Sequence, residues 1–383
     1  MPKMNSYRLH LKWLVGFFLS IVAIWIFTAI FTENHYSRVW SETLQRNVPA
    51  SGRTFSGRKE GWATTRFGEL GIAGTPDVHA IEDPKVLIWG DSYVAAAEVS
   101  DQSKMHRALT GMMQADQRLP PTAAVGIGKR FRSVADYVFL IPLYESEIKD
   151  CRLHVVHVHS LEDFYPDRNP AHRNSLFLSE PNFHFERYDN EFRELEAPVN
   201  NSKVKDLFLR GRLHFFAKMK KRVLQISRLE GMRFSISKQT KSQIKKVEGI
   251  VRPADFMTPD WASLDAPIDA WKFALGDLKE STKLPILIVY GSATPSILKG
   301  EIITTNPERD LVETFSKICS ELGIGFTSLE EPFLRFWENT GKFPKGFHNS
   351  RPWEGHYNPD GHRLAAEAIH IWISENRHVV YPD

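Results

Sequence analysis

The chain has 383 residues, room for two average domains or for one large α/β domain with insertions. Apolar residues at 42% and charged residues at 25% exclude general disorder, and a net charge of +3 excludes a dedicated nucleic-acid binder. Two cysteines, Cys151 and Cys319, exclude a disulfide-stapled small fold and a cysteine-rich zinc site. One disulfide or two free thiols both stay open.

The first predicted element is a membrane anchor. Trp13 to Phe31 reads WLVGFFLSIVAIWIFTAIF, 19 residues without a charge. At about 1.5 Å per residue such a helix crosses a hydrocarbon core of roughly 30 Å. Lys3, Arg8 and Lys12 precede the run and Glu33 follows it, which places the short N-terminus in the cytoplasm and the body across the inner membrane, exported. A cleaved signal peptide is the rival reading, but its apolar core is usually shorter and no A-x-A site follows. The expected organisation is therefore a cytoplasmic tip and anchor over 1–33, a juxtamembrane lead-in over 34–80, and one domain over 81–383. The lead-in shows no sustained period and is cut into turns by Gly57, Gly61, Gly68, Gly71 and Gly74.

The body alternates strands and helices. Val86–Trp89 is a short apolar run ending at Gly90, as a buried parallel strand would. A helix is predicted over 103–115, a strand over 123–127, a helix over 133–143, and a strand over 153–158. Ile268, Trp271, Leu275 and Leu278 mark a helix face, and Ile286–Tyr290 is the next strand. Asn306-Pro307 opens a helix that stops near Gly323; 324–327 is a short strand, and Asn358-Pro359 opens the last helix. This alternation predicts a three-layer α/β/α domain with a parallel, flavodoxin-like sheet. A basic helical insertion interrupts it at about 195–255. Residues 201–250 hold 14 Lys or Arg against 3 Asp or Glu, while the whole chain is only +3. A solvated, packed insertion and a surface for anionic headgroups or an acidic envelope polymer both fit that charge.

Chemistry concentrates in two places. Gly90-Asp91-Ser92 follows the first body strand, where open α/β sheets put their sites. Glu354-Gly355-His356-Tyr357-Asn358 precedes the last helix. A serine hydroxyl needs a base, and histidine titrates near neutral pH. His356, free in its loop, is preferred over His362, which sits in the first helical turn where the dipole disfavours protonation. Asp91 reads as support for the serine turn, and Asn358 as the helix cap. His157 and His159, with Glu162 and Asp163 after them, offer metal-type donors, but no further spaced ligand joins them, so no metal and no cofactor is expected. Trp89, Trp271, Trp337 and Trp353 are either core or a sugar-stacking surface.

These motifs resemble those of the SGNH hydrolases, also called GDSL esterases and lipases. The matching residues are Ser92 in Gly-Asp-Ser and His356 in a C-terminal His-x-Asn-x-x-Gly-His block, over about residues 60–376 without the insertion. Gly68–Gly74 and the strand before Gly90 also look like the membrane-anchored, envelope-associated branch of that family. The resemblance implies acyl transfer through a serine ester, with Ser92 as nucleophile and His356 as base. Where the family has Asp three residues before the histidine, this chain has Trp353, and Glu354 is the nearest carboxylate, so Glu354 is the expected orienting group. Glu162, followed by Asp163, stands where the family has the Asn that donates to the oxyanion, and Gly126 or Gly128 stands for its second-block glycine. The expected function is a membrane-anchored esterase or O-acyltransferase for an acylated envelope component, a polysaccharide or another ester. The alternative is a catalytically inactive binding or assembly protein on the same fold.

Overall fold

The computed structural model describes residues 3–31, 38–44, 46–57, 60–75, 77–129, 134–161 and 265–382. Glu162, Asp163 and the basic insertion at 195–255 lie outside the described residues.

Helix α1 spans Lys3–Phe31. Its described side chains, His10–Ile24 and Ile26, cover only part of the Trp13–Phe31 run, and among the described residues no helix is long and apolar enough to cross a membrane. Leu11, Trp13, Phe17, Phe18, Ile21 and Ile26 on α1 are all exposed.

The lead-in is more structured than its irregular sequence predicts. Strands β1 (Arg38–Ser41) and β2 (Arg46–Pro49) pair antiparallel, as do β3 (Thr54–Gly57) and β4 (Ala63–Arg66). Each has four residues, too short for a period of two to be read. In β4 the alternation nonetheless holds, with Ala63 and Thr65 buried and Thr64 and Arg66 exposed.

The domain then follows the predicted order: β5 (Lys85–Gly90), α2 (Ser92–Ala95), α3 (Met105–Ala115), β6 (Ala123–Gly128), α4 (Val134–Glu147), β7 (Cys151–Val158), α5 (Asp265–Glu280) and β8 (Ile286–Tyr290). A small hairpin, β9 (Ser296–Leu298) with β10 (Glu301–Ile303), precedes α6 (Arg309–Glu321) and β11 (Gly325–Ser328). Helices α7 (Glu330–Thr340), α8 (Pro359–Glu375) and α9 (Arg377–Val380) complete the chain. Helix α7 lies outside the predicted elements; it is a short amphipathic helix that buries Phe333 and ends at Gly341 in the left-handed region. Cys151 and Cys319 are free thiols.

The five-stranded sheet is parallel in the order β11-β8-β7-β5-β6. The inner strands β5 and β8 are buried along their whole length, which explains the apolar runs Val86–Trp89 and Ile286–Tyr290. Leu87, Trp89, Val156 and Ile288 face the layer of α4, α5 and α6, while Val86, Ile88, Val155 and Leu287 face α3, α7 and α8. Fully buried aliphatic side chains such as Leu87 and Ile88 contribute roughly 1.5–3 kcal/mol each. The strand order reverses between β5 and β7, so their carboxyl ends open the crevice that sheets of this type use for ligands.

Candidate active site

Gly90, at the carboxyl end of β5, has no room for a side chain: a Cβ there would lie 2.3 Å from Val94 Cγ2. Gly128, its partner at the end of β6, is tighter still, with Ala95 N 2.0 Å from where its Cβ would be. The two glycines thus let the single turn α2 fold across the sheet rim and present Ser92 there. Asp91 caps that turn, its Oδ1 accepting the Tyr93 N–H at 2.9 Å. Ser92 Oγ donates to Asp91 Oδ2 at 3.4 Å. Burial raises the Asp91 pKa, against the Tyr93 N–H and the nearby His356 charge, which lower it. Gly126, the other sequence candidate, pairs with Ile88 inside the strand and makes space for the His106 ring, so it is not at the rim.

The second motif arrives at the same rim. Asn358 caps α8, its Oδ1 accepting the N–H groups of Asp360 at 3.0 Å and Gly361 at 3.2 Å, and its Nδ2 donates to Phe343 O at 2.7 Å. The loop before that cap carries His356. Tyr93, the residue after Ser92, donates its hydroxyl to Gly355 O at 3.1 Å across 262 sequence positions. Its ring stacks on His159 at 4.1 Å and tilts against His356 at 5.0 Å, and its hydroxyl accepts from His159 Nε2 at 3.0 Å. The two motifs are therefore brought together, with Tyr93 as the tie between them. His362 is buried inside the α8 layer, and burial pushes its pKa well below the usual histidine range. His356, not His362, reaches the rim.

The carboxylate on His356 is not Glu354. Glu354 points to solvent and pairs with Arg351 Nη1 at 2.6 Å. Glu60, in the lead-in between β3 and β4, takes that place: its Oε2 accepts from His356 Nδ1 at 2.7 Å and its Oε1 accepts from the His356 backbone N–H at 2.7 Å. Gly355 makes the approach feasible, since its φ is +90° and a Cβ there would lie 2.0 Å from Glu60 Oε1. Glu98 Oε1 stands 3.8 Å from the same Nδ1. Burial opposes a charge on His356, but its hydrogen bond to Glu60 and the charges of Glu98, Glu60 and Asp91 outweigh it, and its pKa is raised. With Nδ1–H given to Glu60, Nε2 is the basic nitrogen of the neutral ring.

Behind this cluster lie further buried polar groups. His157 Nε2 meets Tyr357 Oη at 3.0 Å, and Lys345 donates to Ser292 O, its pKa lowered by burial to about 7. Burial also holds His157 at about 3 and His159 well below the usual range, so both rings are neutral. His157 and His159 thus serve Tyr357 and Tyr93. Glu60, Glu98 and His356 offer donor atoms within 4.8 Å of one another, a spacing that suits a metal ion but that the Glu60–His356 hydrogen bond already accounts for. Trp89 and Trp271 are core residues at 0% exposure, which removes them from any sugar-stacking surface, whereas Trp337 and Trp353 are half-buried.

No protein-family model matches the chain, and no curated protein matches it. Solved structures similar to it include a catalytic mutant of the acetylxylan esterase Axe2 from Geobacillus stearothermophilus, at 12% identity and a TM-score of 0.34 over 75% of this chain and 92% of that one. A two-domain esterase active on acetylated mannans, CEX, aligns at 8% identity and a TM-score of 0.37 over 78% of this chain and 51% of that one. LAE5, an alpha/beta hydrolase from the metagenome of Lake Arreo in Spain, aligns at 11% identity and a TM-score of 0.35 over 78% and 97%.

Proposed function

We propose that the chain is a membrane-anchored serine esterase or O-acyltransferase of the SGNH type, acting on an acylated component of the cell envelope, with acylated polysaccharide as the substrate class. One observation carries it: Tyr93, beside Ser92, is hydrogen-bonded to Gly355, beside His356, at the switch point of the parallel sheet. A hydroxyl and a basic imidazole nitrogen thereby share one rim.

In the proposed reaction Ser92 Oγ attacks the acyl carbonyl carbon while its proton passes to His356 Nε2. The carbonyl electron pair moves onto oxygen, where the backbone N–H groups of Ser92 and Gly128 are the proposed donors. As the tetrahedral species collapses, the bond to the leaving alkoxide breaks and that oxygen takes the proton from the imidazolium. A water, or a sugar hydroxyl in transfer, then attacks the Ser92 ester by the same proton path in reverse. Before the attack, Ser92 Oγ must leave Asp91 by rotation about its single χ1 torsion.

The anchor rests on α1. Its large described apolar side chains are exposed on every side of the helix, and a helix apolar all round needs an apolar surrounding. The charges before it orient the body outward.

The full-length chain in detergent micelles should hydrolyse an aryl acetate and bind a fluorophosphonate probe covalently at Ser92, and Ser92→Ala should do neither. Turnover that survives Ser92→Ala sinks the serine mechanism. The hydrogen bond of Ser92 Oγ to Asp91 favours a second reading, a binding or assembly component without chemistry. Turnover lost on His356→Ala counts against that reading.

A further inference from the structure

We infer that Glu60, from the segment between the anchor and the sheet, is the positioning residue for His356, so that the lead-in is part of the active site rather than a spacer. This rests on the serine-esterase reading above and deepens it. The carboxylate grips the histidine twice, by the ring Nδ1–H and by the backbone N–H, each at 2.7 Å. That double contact fixes both the tautomer and the loop. A carboxylate so placed keeps the proton on Nδ1, leaves Nε2 to take the Ser92 proton, and stabilises the imidazolium that forms. Glu60 keeps its own charge throughout, and no proton passes to it.

The hairpin that brings Glu60 is built to dock. A Cβ on Gly57 would lie 2.5 Å from Ala97 O, and one on Gly61, at φ +67°, would lie 2.1 Å from Glu98 O, so both glycines are where the hairpin meets the loop after α2. Asn349 Nδ2 donates to Gly61 O at 2.8 Å, from the same C-terminal stretch that carries His356. The Arg66 N–H donates to Asp101 Oδ2 at 3.0 Å. The fully buried Lys104 donates to Thr65 Oγ1 at 3.0 Å and also to Ala95 O and Ala96 O, the end of the turn that starts at Ser92. One ammonium thus joins the hairpin to the nucleophile turn. Glu98, on that same loop, adds a second negative charge 3.8 Å from Nδ1.

The test compares wild type, Glu60→Gln, Glu60→Asp and Glu354→Gln as full-length chains in detergent micelles. It reads aryl acetate kinetics against pH and the rate of fluorophosphonate labelling at Ser92, with thermal unfolding as the folding control. Glu60→Gln should lower kcat by roughly 100-fold or more with little change in KM, slow the labelling in proportion, and move the acid limb of the pH profile down. Glu60→Asp keeps the charge one methylene short; it should recover part of kcat and keep the limb near its wild-type position, which a purely structural role would not do. Should Glu60→Gln fail to fold, the Asp variant and its pH limb still decide. Wild-type labelling with Glu60→Gln equally fast overturns the assignment of Glu60 while the serine mechanism stands, as does a larger loss in Glu354→Gln. A wild-type chain that neither labels nor turns over removes the underlying reading and this inference with it.

Discussion

Two histidine–carboxylate pairs in this protein have nearly the same length and opposite consequences. His154 Nε2 lies 2.6 Å from Glu145 Oε1, in the layer between the sheet and α4, and His356 Nδ1 lies 2.7 Å from Glu60 Oε2 at the sheet rim. His154 has no nitrogen left for chemistry, because its Nδ1 accepts from Trp89 Nε1 at 2.9 Å. Its side chain is fully buried, whereas that of His356 is 22% exposed. A carboxylate partner therefore does not make a histidine a base. What matters is which nitrogen the partner takes, and whether the other one opens on a cleft.

The largest expected effect separates the two pairs by what each loses. His356→Ala should abolish turnover, roughly 10^4-fold or more in kcat as when a triad base is removed, with little change in unfolding free energy. His154→Ala should do the reverse. It strands the Trp89 N–H, takes one of two donors from Glu145 Oε1, which keeps Thr282, and opens a cavity beside Trp89, which together cost about 2–4 kcal/mol. Its kcat per folded molecule should stay at the wild-type value. Chemical unfolding and single-turnover kinetics on both variants check this, and a large kcat loss in His154→Ala would break the comparison.

A smaller effect lies in pH. His356 must be neutral to take a proton, and its pKa is raised, so the acid limb of kcat/KM should fall above the usual histidine value of about 6.5. Glu98→Gln removes one of the charges that raise it and should shift the limb downward while kcat on the plateau changes little. At the other pair the readout is stability. Burial raises the Glu145 pKa, but the hydrogen bonds from His154 and Thr282 more than offset it, and the pKa is lowered. A lowered carboxylate stabilises the fold above its unfolded pKa, near 4.3, and that stability is lost as pH falls through the lower folded value. Unfolding midpoints measured from pH 6 down to pH 3 should therefore fall, and more steeply in wild type than in His154→Ala.

How much of this was legible in the sequence follows from the range of each interaction. The sheet was readable because β5 and β8 are short apolar runs, and β7 carries Leu153, Val155, Val156 and Val158, so that their type is decided within five to eight residues. Ser92 was readable because a glycine, an acid and a serine after such a strand form a local device, and His356 because the Asn358 cap fixes where the last helix begins. His154 and His157 sit in one strand three residues apart and so face opposite layers, but nothing nearby says that one meets Trp89 and the other Tyr357, 200 positions on. Glu60 was out of reach altogether: it is one of 46 acidic residues, in a hairpin of four-residue strands, and 296 positions from its histidine. Glu354, closer in sequence, was the natural expectation. It fails because the backbone turns at Gly355, in the positive-φ region, and its side chain goes to Arg351 and solvent. The local trace is a glycine beside each partner: Gly61, after Glu60, packs on the Glu98 backbone, and Gly355, before His356, packs on the Glu60 carboxylate, so each marks a close approach whose partner the sequence does not name.

The smallest expected effect tests whether the rim histidine depends on a neighbour that never touches it. Asn358 accepts two helix N–H groups with Oδ1 and donates with Nδ2 to Phe343 O and Gly346 O, so it caps α8 and ties down the loop before it at once. Asn358→Asp keeps the acceptor and loses the donor; Asn358→Ala loses both. The Ala variant should cost about 1 kcal/mol of unfolding free energy, the usual worth of such a cap, plus the two stranded carbonyl contacts. The Asp variant should retain most of the cap, because a carboxylate at a helix N-terminus also meets the positive end of the dipole. If the Nδ2 contacts hold His356 in place, both variants should lose a similar few-fold in kcat despite their different stabilities. Should kcat instead track stability, falling in Ala and holding in Asp, the loop owes its position to its other contacts, those of Glu60, Tyr93 and the Gly346 N–H on His356 O, and the contrast with the locked His154 pair becomes sharper still.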